Sequence, residues 1–211
     1  MTYKKEAYKS KANSIIKNFE KRKINGFYCS TKEEALKKSL SLIEEGSSVS
    51  WGGSATIEEI GLLDAVKKGD YQVIDRDIGE NPEERWDLMR KASFADTYIT
   101  SSNALTIDGE LVNIDGNGNR VAAMSFGPKK LIIVVGMNKV VRDVEAAVKR
   151  VQNDAAPPNV KRLNLNTPCN TTGYCMNCYT DDCVCGQILI TRYNRLKDRI
   201  NVIIVGEELG F

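Results

Sequence analysis

Apolar residues near the start of the chain fall at Ala7, Ala12, Ile15, Ile16 and Phe19, close to a 3.6-residue period, in a segment rich in Lys, Glu and Ala and free of Gly and Pro. That spacing predicts an amphipathic helix over 3–23 with a basic outer face, closed by Asn25-Gly26 in the manner of a C-cap. Strand and helix patterns then alternate. Phe27–Cys29 reads as a short strand. Ser30 or Thr31 caps a helix to about Glu45, with Glu33 and Glu34 well placed in its first turn, and Gly46 stops it. The strand Ser47–Trp51 leads through Gly52-Gly53-Ser54 into a helix from Ala55 to about Lys68. The strand Tyr71–Asp75 leads to a helix opening at Asn81-Pro82, where proline's missing N–H costs nothing. Thr97–Thr100 is the next strand. This alternation predicts an α/β domain on an open, mainly parallel sheet.

The rhythm changes after Thr100. Thr106-Ile107 and Leu111-Val112 flank Asp108-Gly109, a hairpin signal because both turn residues tolerate the positive φ that matches strand twist. A second turn, Asp115–Asn119, leads into Arg120–Met124, so one or two antiparallel hairpins are expected as additions to the parallel sheet. Leu131–Val135 is the longest apolar run, the length of a buried strand and far short of the ~18 residues of a membrane span. A helix is expected from Asn138 to about Asn153, with Val140, Val141, Val144, Ala147, Val148 and Val151 on its apolar side, broken at Ala155–Asn159. Ile188–Ile190 and Asn201–Val205 read as further strands. The organisation is a helix over 1–24, packed on or appended to a single domain over 25–211, with a cysteine-rich loop over 168–186.

The 211 residues, 42% hydrophobic and 27% charged, are an ordinary globular composition that needs no disulfides to bury a core. Thirty Lys and Arg against 28 Asp and Glu leave a net charge of +2. No field of one sign invites a nucleic acid, and neither nucleic acid nor membrane is an expected partner. The opening Met1–Glu6 lacks the apolar centre of a signal peptide, so a cytoplasmic location is expected. Histidine is absent. That excludes Ser-His-Asp triads, Cys-His dyads, histidine-ligated zinc and haem on an axial histidine. Proton transfer falls to Asp, Glu, Lys, Tyr, Cys or water, and a metal would need thiolates or carboxylates.

Five of the six cysteines lie between 169 and 185. Cys175 and Cys178 form a C-x-x-C, whose tight turn can aim two thiolates at one centre. Cys169 upstream and Cys183 or Cys185 downstream complete four sulfur donors. Such a set suits a 4Fe-4S cubane or, as the alternative, tetrahedral zinc; a redox-active dithiol and inert thiols are the other readings. Cys29, alone on a strand, reads as a small core residue.

Gly52-Gly53-Ser54 with Thr56 lies between a strand and a helix, where backbone N–H groups can approach an anion. No Gly-Lys-Ser/Thr follows, so it is not a Walker loop. Asp115–Asn119 begins like a calcium loop but has Arg120 at the sixth position and Phe126 at the twelfth, which excludes calcium. Asn119 and Arg120 are instead candidate anion ligands. Asn138 and Lys139 follow the buried strand at its carboxyl end, where α/β sheets bind ligands. Asn138 also reads as a helix N-cap, and Lys139 in a first helical turn opposes the usual charge preference, as a bound anion would explain. Asn103 completes the candidate pocket. Glu58, Glu59 and Glu207 are the carboxylates nearest loop–strand junctions, with capping or surface roles as the plain alternative.

The stretches Val49–Gly61, Ala95–Arg120, Phe126–Lys129, Val135–Lys139 and Val205–Phe211 together resemble the lactate utilization protein (LUD domain) family, from about residue 25 onward. The cysteine segment is similar to that of its short-form members, whose pattern falls on Cys169, Cys175, Cys178 and Cys185. Cys183 stands where a non-cysteine is expected and leaves the fourth ligand open between Cys183 and Cys185. The resemblance implies a fold similar to the NagB/RpiA/CoA-transferase group and a part in oxidising L-lactate to pyruvate beside iron–sulfur partner subunits. No catalytic residue follows from it. Three functions are then expected to compete. The first is a redox-associated subunit of lactate or related 2-hydroxy acid utilization, an oxidoreductase component with a four-cysteine iron–sulfur or zinc site beside a pocket for a small anionic metabolite. The second is an isomerase- or transferase-like enzyme binding a sugar phosphate or CoA thioester, with a structural metal held by the four cysteines. The third is a non-catalytic assembly subunit. Protein partners or a homo-oligomer are expected in each.

Overall fold

A computed structural model describes residues 2–211. The first helix, α1 (Tyr3–Lys21), is capped by Thr2 and followed by β1 (Asn25–Cys29), α2 (Lys32–Leu40), β2 (Ser48–Trp51), α3 (Ala55–Glu59), α4 (Leu62–Lys68) and β3 (Gln72–Val73). Next come α5 (Pro82–Ala92), β4 (Thr97–Ser101), β5 (Ala104–Thr106), β6 (Leu111–Asp115), α6 (Asn119–Ser125) and β7 (Lys130–Gly136). The last third holds β8 (Val140–Val141), α7 (Val144–Arg150), α8 (Ala156–Arg162), α9 (Pro168–Thr172), β9 (Gln187–Thr191) and β10 (Ile200–Val205). Six strands pair in parallel in the order β1-β10-β7-β4-β2-β3, and a smaller mixed sheet runs β8-β5-β6-β9.

The central strand explains the layering. Along β7 successive side chains alternate between faces. Leu131, Ile133 and Val135 pack with Ile15 and Phe19 of α1 and Met124 of α6, while Ile132 and Val134 pack with Ile57, Leu62 and Val66 of α3 and α4. Helices cover both faces, so β7 from Leu131 and β10 from Val202 are continuous apolar runs, as a sheet buried on both sides requires. The second sheet has its own core, in which Ala104, Val112 and Ile114 meet Ala147, Val151 and Ala155. The first helix packs on the sheet through Ala12, Ile15 and Phe19, all fully buried, whereas Ala7 is exposed.

Several elements depart from the sequence pattern. Helix α1 ends at Lys21, with Lys23 taking the positive φ (54°) expected of Gly26, which already lies in β1. Gly26 is there for contact: a Cβ on it would lie 2.7 Å from the Phe19 ring. The helix expected over 55–68 is two helices, broken where Gly61 turns left-handed (φ 73°). Arg120–Met124 is not a strand. Gly118 at φ 84° starts helix α6, and Arg120, Val121, Ala123 and Met124 share its buried side. Of the one or two hairpins expected, the Asp108-Gly109 one forms. Asn138 does not cap a long helix; it lies in a 3-10 turn, Val140-Val141 pairs beside Leu105-Thr106 as β8, and Asp143 caps α7. Nor do Pro157 and Pro158 break a helix. A π-turn over Val151–Ala155 re-phases the chain so that they open α8, where their missing N–H groups are tolerated.

The Gly26 contact gives a direct test. Gly26→Ala must push Phe19 or α1 outward and is expected to cost about 1–3 kcal/mol, read as a lower urea midpoint with an unchanged slope.

Candidate functional site

From β2 the chain turns to β3 on one side and returns to β4 on the other. Connections leaving the carboxyl ends of β2 and β4 therefore diverge, which opens a crevice of the kind that holds ligands in α/β sheets. The crevice is a cavity of about 450 Å³ lined by Gly53, Ser54, Asn103, Asn119, Arg120 and Lys139 among the residues expected from sequence. Gly52, Thr56 and Asn138 do not line it, and each has another task. Gly52 leaves room for Arg120, whose Cδ a Cβ would approach to 2.9 Å. Thr56 stands behind Lys139. Asn138 holds the 209–210 segment, accepting from the Leu209 N–H at 3.1 Å and donating to the Leu209 and Gly210 carbonyls.

Arg120 is buried and its guanidinium is committed inside the protein. It bonds Asp115 Oδ1 through Nη2 at 2.7 Å and Nε at 2.9 Å, Asn113 Oδ1 at 2.6 Å, Asn103 Oδ1 at 2.7 Å, and the carbonyls of Ser101 and Ile114. It is therefore a strut of the cavity wall more than a free anion ligand. Asp115 also accepts from the Val121 N–H, which satisfies an open donor of α6.

Lys139 is 4% exposed. Its Nζ donates to Thr56 Oγ1 at 2.7 Å and Ser101 Oγ at 3.0 Å, and no carboxylate among the described residues lies in ion-pair contact with it. Burial foremost, then repulsion from Arg150 and Arg120 against a weaker pull from Glu59, brings its pKa down to about 7. Arg76, which no sequence motif marks, also lines the cavity; its Nε is buried without a hydrogen-bond partner, and the Asp77 carboxylate lies 3.7 Å from it. Gly53 makes room for it, since a Cβ there would lie 2.5 Å from Arg76 Nη2. The flagged carboxylates are caps or surface groups: Glu207 accepts from the Lys32 N–H, Glu59 from the Gly210 N–H, and Glu58 is exposed.

The cysteine loop closes the far side of the crevice, with Asp181–Cys185 on the wall. It lies tight against the β6–α6 turn: a Cβ on Gly116 would sit 3.1 Å from the Cys183 carbonyl, and one on Gly186 3.0 Å from the Gly116 carbonyl. Behind it Cys169, Cys175, Cys178, Cys183 and Cys185 all line a second cavity of about 440 Å³. No three Cys, Asp or Glu groups among the described residues converge closely enough to grip a single ion; the thiols surround a space instead. Burial, reinforced by the other four thiols, pushes Cys185 up to about 12. Cys29 is a buried core residue, as expected.

Two substitutions probe this arrangement. Arg120→Met leaves Asp115 buried without its cation and is expected to cost about 3–5 kcal/mol, read by chemical denaturation. Lys139 holds its proton less tightly when folded (about 7) than at its ordinary 10.5. The unfolded chain thus binds more protons across that window, and stability rises with pH from about 7 to 10.5. Lys139→Met is expected to remove that rise and to be no less stable than the parent at pH 7, read from urea midpoints at pH 7 and 9.

The sequence model of the LUD domain family matches residues 12–205. The crystal structure of a DUF162 family protein from Deinococcus radiodurans superposes with a TM-score of 0.54 at 13% identity, covering 94% of this chain and 98% of that one. At that identity the fold is what is shared. Ribose 5-phosphate isomerase A from Neisseria gonorrhoeae aligns at TM-score 0.44 and 14% identity over 85% and 94% of the two chains. The eIF2B δ subunit from Chaetomium thermophilum aligns at 0.36 and 19% over 56% and 50%. No curated protein matches the sequence, and no helix among the described residues is long and apolar enough to cross a membrane. The family match spans the parallel sheet, the crevice at its carboxyl ends and the cysteine loop, and this chain accordingly belongs to the LUD domain family, the lactate utilization proteins.

Proposed function

We propose that the protein is a redox-associated member of lactate or related 2-hydroxy acid utilization, with an iron–sulfur cluster in the cysteine cavity beside a pocket for a small carboxylate. The carrying observation is that five thiols from one loop line one cavity while Cys183, Val184 and Cys185 also line the crevice of Lys139. The donor set fits the group. Thiolates are the usual ligands of a cubane, and all five cysteines of the loop line the one cavity. Cys169, Cys175, Cys178 and Cys185 would hold it, and when bound it supplies one-electron transfer.

The chain's own groups prepare those sulfurs. The Asn177 N–H donates to Cys175 Sγ at 3.4 Å, and the Thr167 hydroxyl lies 3.2 Å from Cys169 Sγ. Donors of this kind favour the anionic thiolate and tune its potential. Cys183 donates to the Cys178 carbonyl and accepts from the Cys185 N–H, so its sulfur also braces the loop; Cys185 is taken as the fourth ligand on the family pattern. Around the loop Met176, Tyr179 and Ile188 are exposed, which supports a protein as the electron partner.

Protein prepared without oxygen is expected to be brown, with about four irons and as many sulfides per chain. Cys178→Ser should lose the visible absorption, and Cys183→Ser should keep it. Colourless protein carrying zinc and no iron would overturn the redox part.

A further inference from the structure

The amine of Lys139 is oriented by its neighbours. The Thr56 hydroxyl donates to the Leu209 carbonyl and the Ser101 hydroxyl to the Ser102 carbonyl. With their own hydrogens so placed, both oxygens turn lone pairs to Lys139 and accept from it at 2.7 and 3.0 Å. A neutral amine has two N–H bonds and one lone pair. Both N–H bonds are taken by the hydroxyls, which leaves the lone pair unengaged on a residue that lines the cavity. Arg76 lines the same cavity, with a buried Nε that has no hydrogen-bond partner and only the half-exposed Asp77 carboxylate 3.7 Å away.

We propose that Lys139 is a catalytic nucleophile that forms an iminium with the carbonyl carbon of a small 2-oxo acid whose carboxylate binds Arg76. The proposal rests on the carboxylate pocket of the preceding section and not on the cluster. The lone pair of Nζ attacks the carbonyl carbon; a C–N bond forms as the C=O π pair moves to oxygen. One proton passes from nitrogen to that oxygen. The second C–O bond then breaks, and the proton that the lysine ammonium gave up to form the free amine returns on the departing water. The sum is lysine ammonium plus 2-oxo acid giving iminium plus water, with no electron exchanged. Such lysines work where desolvation and neighbouring cations keep the amine neutral, and here burial, Arg150 and Arg120 act in that direction, opposed by Glu59.

The test is reductive trapping on the full chain with pyruvate and sodium cyanoborohydride, followed by peptide mass mapping. The expected result is one reduced adduct, on Lys139, absent in Lys139→Arg. Acetone, which lacks the carboxylate, should label Lys139 about tenfold more slowly, the worth of one charged hydrogen bond, and Arg76→Gln should narrow that gap. The map is read on the unaltered protein, so it does not depend on any variant folding. Label spread over exposed lysines with Lys139 unmodified overturns the proposal. Pyruvate retained in equilibrium dialysis with Lys139 unmodified overturns the iminium and leaves the carboxylate pocket standing. Neither retention nor label overturns both, whatever the iron content.

Discussion

The buried guanidinium of Arg120 is the joint on which the two sheets and the crevice between them depend. It reaches Ser101 at the end of β4, Asn103 in the next loop, and Asn113, Ile114 and Asp115 along β6. One charged group thus ties the large sheet to the small one at the point where their strands part. A guanidinium suits this place because its donors diverge in a plane and can meet several acceptors at once. The position also depends on what is missing opposite, since any side chain at residue 52 would strike its stem.

From that joint the order passes outward by hydrogen bonds. Asn103, held by Arg120, donates its N–H to Asn113 and accepts from the Ile114 N–H. Its carbonyl takes Arg150 Nη1 at 2.6 Å, and Arg150 Nε reaches the Asn138 carbonyl at 3.3 Å. Asn138 precedes Lys139, so the turn presenting the amine is fixed through a chain of contacts that begins at Arg120. The same two arginines raise the electrostatic cost of a charge on Lys139. Placement and tuning of the lysine are therefore one arrangement. On the opposite wall Gly116 and Gly186 let the cysteine loop lie against the β6–α6 turn, so the crevice and the thiol cavity share the strip Cys183–Cys185.

The parts of this arrangement that sequence revealed are those with local causes. Strands such as Leu131–Val135 show as apolar runs, Thr31 and Asn81 cap as their side chains dictate, and Asp108-Gly109 turns a hairpin. Elements set by distant contacts were not visible. The apolar Val140-Val141 suits a helix face equally well and becomes β8 because β5 offers an edge. Arg120–Met124 carries both periods, and the buried Arg120–Asp115 pair settles it as a helix. In the site, Gly53, Ser54, Asn103, Asn119, Arg120 and Lys139 converge as their places after strand ends suggest. Arg76 has no motif around it and becomes part of the crevice only because β3 lies beside β2. That Arg120 is consumed by internal acceptors, while Lys139 is buried without a carboxylate, is a matter of three-dimensional partners that no spacing encodes.

The missing histidine gives the buried lysine its meaning. Histidine is the side chain whose ordinary pKa lies near neutrality, and this chain has none. A group that exchanges protons at neutral pH must then be made by moving another far from its usual range, and burial is the strongest lever for doing so. An uncompensated ammonium in a protein interior opposes folding, and an apolar residue at 139 would avoid that cost. No carboxylate among the described residues reaches Lys139 within ion-pair distance; the distant pull of Glu59 is outweighed by two arginines, and its direct acceptors are hydroxyls. That combination opposes stability and stands on the wall of the crevice. The proposed iminium chemistry would make use of that combination, since it needs an amine with a free electron pair.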